Sequence, residues 1–441
     1  MNKPLFLITA LLLFNRINYS QTPAASDSLL QNGNLHDCII YALSHQPSVR
    51  QSLIDEKIAN AEIRSKLSDW YPQLSFNFNL QHNYQLPTSI IQGNPIKVGL
   101  INTSGADFSL TQTIFNRDVL LSASTAQEVR EQARQQITNN NINVVANVSK
   151  AFYAVLLTQD QIELVNEDVS RLKLSQHDTY SQYQSGVVDK TDYMRATIAL
   201  NNAEAELRQD NESLKTSIAF LKDQMGYPPS AELKLEYDST QMENDINIDT
   251  TLSVNYENRI EYKLLQTQKS LQKSNLDYYV WSFLPSISAF GDYNINFMND
   301  NFSKLYNQSF PNSYIGLELS FPIFEGTKRI QEIDQASLEL KRVDYDIESL
   351  RNSISTECTQ AMANYKSNLN NLNVQKNNLQ LAKEVYNTIQ LQYKSGIKTY
   401  LDVITAETDL RTTQVNYINA LYQTLSSKLD VEKALGIIKY Q

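Results

Sequence analysis

What this chain lacks is the first guide to it. Its 441 residues include only 11 glycines, 11 prolines, 4 histidines, 2 cysteines and 2 tryptophans. A chain so poor in turn-forming residues makes few turns, so the two or three globular domains that length alone suggests are not the natural reading. The histidines, His36, His45, His82 and His177, show no metal-ligand spacing. No phosphate-cradling glycine loop and no nucleophile elbow is present. No enzyme, cofactor or metal is therefore expected. Positive charge is also short: 38 Lys and Arg against 48 Asp and Glu leave a net charge of -10, which argues against a nucleic-acid partner. Mean hydropathy is -0.40, which excludes a helical membrane protein. Cys38 and Cys358 sit in helical patterns and read as buried free thiols, although the expected compartment leaves pairing open.

The N-terminus is the exception to the polar composition. Lys3 followed by the apolar run Leu5 to Phe14 reads as a secretory signal, too short to span a bilayer, with cleavage expected at Ser20–Gln21. Removing Lys3 and Arg16 with it takes the net charge from -10 to -12. The mature protein is then expected outside the cytoplasm.

The few glycines and prolines are placed informatively. No proline occurs between Pro95 and Pro228, and Gly186 is the only glycine between Gly105 and Gly226. Likewise no proline follows Pro322, and Gly396 is the only glycine between Gly326 and Gly436. Helix interiors exclude both residues, so each half holds a very long helical stretch broken once. Gly186 and Gly396, and Gly226 and Gly436, lie 210 residues apart, and Tyr183-Gln-Ser-Gly186 matches Tyr393-Lys-Ser-Gly396. The chain is an internal duplication. The expected layout is a signal at 1–20, a first repeat at 21–229, a linker at 230–255 and a second repeat at 256–441. Each repeat runs helix, strand, loop, strand, long helix, tip, helix. The opening helix is expected over Leu35 to Asp69, and the stretch from Asn116 to Gln184 makes a rod of about 100 Å that has to pack as a coiled coil.

Alternating segments lie near 72–84, 104–115, 284–297 and 313–324. Leu74, Phe76, Phe78 and Leu80 face one way, against Ser75, Asn77, Asn79 and Gln81. Ile315, Leu317 and Leu319 oppose Gly316, Glu318 and Ser320. This period, with an uncharged polar face, fits a membrane barrel wall. Trp70, Tyr71 and Trp281 stand at equivalent entries, where an aromatic belt meets the bilayer edge. Four strands cannot close a barrel, and an open edge in lipid leaves backbone groups unpaired. Three copies would give 12 strands and a closed cyclic ring. The fold class is therefore a long α-helical coiled-coil barrel continued by a 12-stranded transmembrane β-barrel shared by a trimer.

The chain resembles the TolC-like outer-membrane efflux proteins. The resemblance rests on the opening Leu35-His-Asp-Cys-Ile-Ile-Tyr-Ala-Leu, on Trp70-Tyr-Pro72 and Phe283-Leu-Pro285 at the barrel entries, and on Phe321-Pro-Ile-Phe324-Glu-Gly326 at the last strand's exit. Tyr393-Lys-Ser-Gly396-Ile-Lys-Thr-Tyr-Leu-Asp402 resembles the second tip. The resemblance implies an export duct in the outer membrane with its helical tube in the periplasm. It would work as a homotrimer with a periplasmic adaptor and an inner-membrane pump of RND, ABC or MFS type, expelling small molecules or proteins.

It also implies a periplasmic gate in which Tyr393 and Lys398 tie to Thr191 and Asp192. Lys398 stands where the family carries an arginine, and a lysine has no planar fork. Asp402 matches the first of two acidic pore rings, and Thr405 occupies the second. The tips, near 185–191 and 395–401, give Gly186, Gly396, Ser185, Val187, Ser395 and Ile397 as turn and adaptor-contact residues. A plainer reading stands beside this one: Thr399-x-x-Asp402 is a capping box, and Asp189-x-x-Asp192 resembles one. The alternative to a duct is a periplasmic coiled-coil scaffold or adhesin stalk without a pore, which leaves the four strands unexplained.

Overall fold

A computed structural model describes residues 30, 32–91, 93–236, 242 and 246–439. The expected signal at 1–20 lies outside them. In chain order the elements are β1 (Asn32–Gly33), α1 (Leu35–His45), α2 (Pro47–Leu67), β2 (Gln73–His82), β3 (Thr88–Ile91), β4 (Asn94–Lys97), β5 (Asn102–Phe115), α3 (Arg117–Gln184), α4 (Lys190–Met225) and β6 (Lys234–Leu235). There follow α5 (Ile260–Val280), β7 (Ser286–Asn299), β8 (Ser309–Ser320), α6 (Lys328–Lys394) and α7 (Tyr400–Leu435). The helix, strand, strand, long-helix hairpin order occurs twice.

The 68-residue α3 and 67-residue α6 are each about 100 Å long. Neither has a deep apolar face along its whole length, so each gains stability laterally. α3 packs on α4, α6 on α7, and within the chain the two hairpins meet where α3 runs beside α7. Near the middle of the rods the cores are thickest. Val148, Val155, Leu156, Leu221 and Leu425 are almost completely buried in one cluster with Cys38. Burying each such side chain contributes about 1.5–3 kcal/mol. A second cluster gathers Val343, Ile354, Cys358, Tyr365 and Val431. The two cysteines thus lie in different cores and both are free. Burial pushes the Cys38 thiol up to about 12, and the neighbouring Asp37 adds to the shift.

Three local features differ from the sequence reading. The opening helix is two helices, because Pro47 has no N–H to donate and its ring excludes a continuous turn; it begins α2 instead. A short hairpin, β3 with β4, occupies the loop between the first two wall strands. The segment expected as a linker is not a free tether: β6 pairs in parallel with β1, and Leu233 and Ile246 are buried in the first core.

The wall is one antiparallel sheet in the order β2-β5-β7-β8. Its register keeps like faces together: Phe76 pairs with Phe108, which pairs with Tyr293, and Ile287 pairs with Leu319. A register shift between Thr113 and Phe115 leaves Ile114 out of the pairing at the sheet's lower end and sets Phe115 opposite Ile287. The polar face carries Asn77, Asp107 and Asn294 in one row. No layer covers the outward face. Ile315 is 89 % and Leu317 73 % exposed. Among the described residues no helix is long and apolar enough to cross a membrane.

Candidate functional site at the helix tips

Each hairpin turns on the same backbone device. In the first tip Gly186 N–H donates to Tyr183 O at 3.0 Å and Val187 N–H to Gln182 O at 2.9 Å. In the second, Gly396 N–H donates to Tyr393 O and Ile397 N–H to Gln392 O, both at 2.9 Å. Both glycines are left-handed, with φ of 72° and 74°. This closes the last orphan carbonyls of α3 and α6. Ser185 and Ser395 are the corresponding C-caps, and each donates its hydroxyl back one turn, to Ser181 O and Leu391 O. The reversal pushes Val187 and Ile397 outward, each 73 % exposed.

The helices that leave the tips are capped differently. Thr399 and Asp402 form a capping box: Thr399 N–H donates to Asp402 Oδ2 at 2.9 Å, Thr399 Oγ1 donates to the same oxygen at 2.8 Å, and Asp402 N–H donates to Thr399 Oγ1 at 3.4 Å. These bonds, with Lys398 beside it, hold the exposed Asp402 carboxyl below its ordinary value. Lys398 Nζ lies 3.6 Å from Asp402 Oδ1. Within one chain, then, the lysine is paired with its own helix cap and not with Asp192. Asp189 is the N-cap of α4 but makes no side-chain cap bond, and Asp192 lies 3.9 Å from Arg195.

Tyr393 does reach the other hairpin. Its hydroxyl donates to Gln182 Oε1 at 3.2 Å, and its ring stands 6.0 Å from that of Tyr400, whose hydroxyl is 2.8 Å from Ser175 Oγ. Burial raises both phenols, and the Asp192 charge raises them further, so Asp192 shares this environment. Thr191 is exposed on the first turn of α4. The structure therefore gathers Tyr393, Tyr400, Gln182 and Asp192, and leaves Lys398 with Asp402 across the tip.

A second polar centre, missed in the sequence, lies further along the tube. The Asp168 side chain on α3 is 3 % exposed and pairs with Arg171 and with Arg411 of α7, whose Nε is 3.3 Å from Asp168 Oδ2. Arg171 Nε donates to Glu407 Oε1 at 2.7 Å, its guanidinium stands 5.5 Å from the Tyr386 ring centre, and Arg411 also pairs with Glu206 of α4. Burial raises Asp168 and Glu407, against the pull of the arginines. One ion network thus joins α3, α4 and α7, and Arg171 extends it to the Tyr386 ring on α6. One signal was available: Asp168 interrupts the apolar stripe of Val165, Val169 and Leu172, where a charge needs a partner. At the other end of the tube Trp70 and Tyr71 are exposed ahead of β2, and Trp281 is half-buried ahead of β7.

Comparison with known proteins accords with this geometry. The profile of the family described as Outer membrane efflux protein matches residues 39–226 and 263–437, one segment in each repeat. Outer membrane protein TolC of Salmonella enteritidis is 24% identical over 429 residues, spanning 94% of this chain and 84% of that protein. Cation efflux system protein CusC of Escherichia coli (strain K12) is 21% identical over 408 residues, 90% of this chain and 84% of its own. Among solved structures, the outer membrane protein VceC from Vibrio cholerae superposes with a TM-score of 0.72 at 15% identity, covering 91% of this chain and 96% of that one. With matches across both repeats and a shared fold, the chain belongs to the outer membrane efflux protein family.

Proposed function

We propose that this protein works as a homotrimeric export duct, passing cargo from an inner-membrane pump and a periplasmic adaptor to the cell exterior. As a member of its family it is an outer-membrane efflux channel with a periplasmic helical tunnel. The observation that carries the trimer is the four-stranded sheet. Its strands alternate in direction, both faces are uncovered, and β2 and β8 are open edges running oppositely. β8 of one copy can therefore pair antiparallel with β2 of the next, and three copies give a closed wall of 12 strands. A pore-free stalk accounts for the helices and leaves this sheet with no purpose.

At the periplasmic end, the tips form the gate. Tyr393 ties the hairpins within a chain through Gln182, Lys398 bridges toward Thr191 and Asp192 of a neighbour, and Asp402 rings the pore. Val187 and Ile397, on the outermost turns, face the adaptor. An exposed lysine–carboxylate pair contributes about 0–1 kcal/mol, so three copies bias the closed state without locking it. The test uses protein purified as a heat-modifiable trimer that resists carbonate extraction. The double variant Tyr393→Phe/Lys398→Ser is expected to raise single-channel conductance in planar bilayers and sensitise cells to large antibiotics. A monomer that keeps its native fold in detergent overturns the duct. A trimer whose conductance does not change in the double variant overturns the gate alone.

A further inference from the structure

Where the wall strands meet the tube there is a cavity of about 290 Å³. Two long helices begin on its rim. Asn116 caps α3, its side chain accepting from Asp118 N–H at 2.8 Å, whereas Thr327 makes no side-chain cap for α6. Lys328 N–H, the first of α6, donates to Glu325 O at 3.4 Å, so the positive end of α6, whose first turn lines the cavity, has a backbone partner but no side-chain cap. Ser282 lines the same space. It is 8 % exposed, and its Oγ has no hydrogen-bond partner. A buried hydroxyl in this state lacks an acceptor or donor that a ligand can supply.

The charges around the cavity balance. Arg117, Lys328 and Arg329 face Asp118, Glu325 and Glu332, and Lys328 Nζ lies 3.7 Å from Glu332 Oε1, a pair that a bound zwitterion has to part. Arg329 is held rigidly, donating to Glu325 Oε2 at 2.9 Å and to Pro322 O at 2.6 Å, with its guanidinium 5.3 Å from the Phe283 ring centre. A neutral sum made of both signs suits a molecule that carries both signs, and not a bare anion. The cavity also adjoins the apolar side of the wall. Trp281 lines it, and so does Phe115, which pairs in register with Ile287, itself paired with Leu319.

We propose that this cavity binds the head group of a zwitterionic phospholipid, a phosphate joined to an amine, from the leaflet on the tube side of the membrane. The phosphate oxygens accept from Ser282 Oγ, from Lys328 and from the first turn of α6. The ammonium lies against Glu332 and Asp118, and the acyl chains run along Phe115 and Leu319. One lipid binds per chain. The proposal rests on the reading of the sheet as a membrane wall. Ser286 and Ser320, on the polar face, line the cavity as well. A soluble phosphate ester entering from the lumen has the same chemistry, and the experiment separates the two sources.

Full-length trimer, stripped of lipid in detergent, is reconstituted into nanodiscs of phosphatidylethanolamine or of phosphatidylglycerol, and retained lipid is counted by native mass spectrometry. One phosphatidylethanolamine per chain is expected, with phosphatidylglycerol retained roughly tenfold less. Ser282→Val and Lys328→Gln are each expected to cut retention roughly tenfold, the scale of one charge-assisted hydrogen bond. The Lys328 side chain is 70% exposed, so its variant keeps the test sound even if Ser282→Val fails to fold. Equal retention of both lipids, or no change in Lys328→Gln, overturns the proposal. Tight binding of glycerophosphoethanolamine to lipid-free protein by calorimetry assigns the site to a soluble ester and overturns the lipid. Protein that does not enter discs as a conducting trimer refutes the membrane wall itself. Protein that conducts but keeps no lipid refutes only the head-group site.

Discussion

At Gly396 the backbone takes φ of 74°, and a Cβ built there meets nothing within 4 Å. Space is not the constraint; conformation is. Gly396→Ala is therefore expected to cost about 1–2 kcal/mol through the left-handed geometry alone, lowering the melting temperature of the trimer without preventing its assembly. Failure to assemble would place a packing partner at the tip that the geometry does not contain. Asp402 makes a different, pH-dependent contribution. Its folded carboxyl is held below the ordinary value. The stabilisation from its cap is thus present above the unfolded value and disappears as pH falls through the folded one. Both features were legible in the sequence because turns and caps are local: Gly396 and Thr399-x-x-Asp402 carry their geometry within a few residues. Within one chain the partner of Lys398 was equally local. The i, i+4 spacing offers Asp402 within the chain, while the contact with Asp192 that the family resemblance implies lies between neighbouring chains.

Between elements, the ion network around Asp168 decides how firmly the two hairpins hold each other. Arg411→Gln leaves a buried carboxylate short of a partner and is expected to destabilise the tube by about 3–5 kcal/mol, much of it recovered in Asp168→Asn/Arg411→Gln. Thermal melts of these two variants beside the unsubstituted protein check this, and equal losses in the single and double variants would show that the pair acts independently of the seam. The pH dependence has the opposite sign from the tip cap. Asp168 and Glu407 are raised above ordinary values of 3.8 and 4.5. Their contribution is full below those unfolded values and is lost as pH rises through the raised folded ones. The long helices were readable from glycine and proline spacing, which is a property of each element alone. The seam was not, since its members span residues 168 to 411 and only the fold brings them together. The β3–β4 hairpin escaped for want of alternation: Ile90 and Ile91 are adjacent, so no period of two marks them.

For the whole molecule, the sidedness of the wall makes the plainest prediction. Leu317→Asp places a charge on the outward row and is expected to sharply reduce trimer recovered from membranes, while Asn77→Asp, on the polar face, is expected to leave recovery nearly unchanged. Equal recovery of the two would refute the alternation. This face was legible because a strand's period of two survives any rearrangement of its neighbours. Ring closure has a further consequence for mixed populations. In the proposed trimer every protomer presents one edge on β2 and an oppositely running one on β8, so a chain damaged only on β8 is expected to dock through β2 and then halt the ring. If equal amounts of sound and damaged chains are drawn at random into rings of three, only about one ring in eight escapes. In that trimer a single defective copy is expected to act as a poison toward its sound counterpart, and a chain damaged at β8 as an inhibitor of assembly.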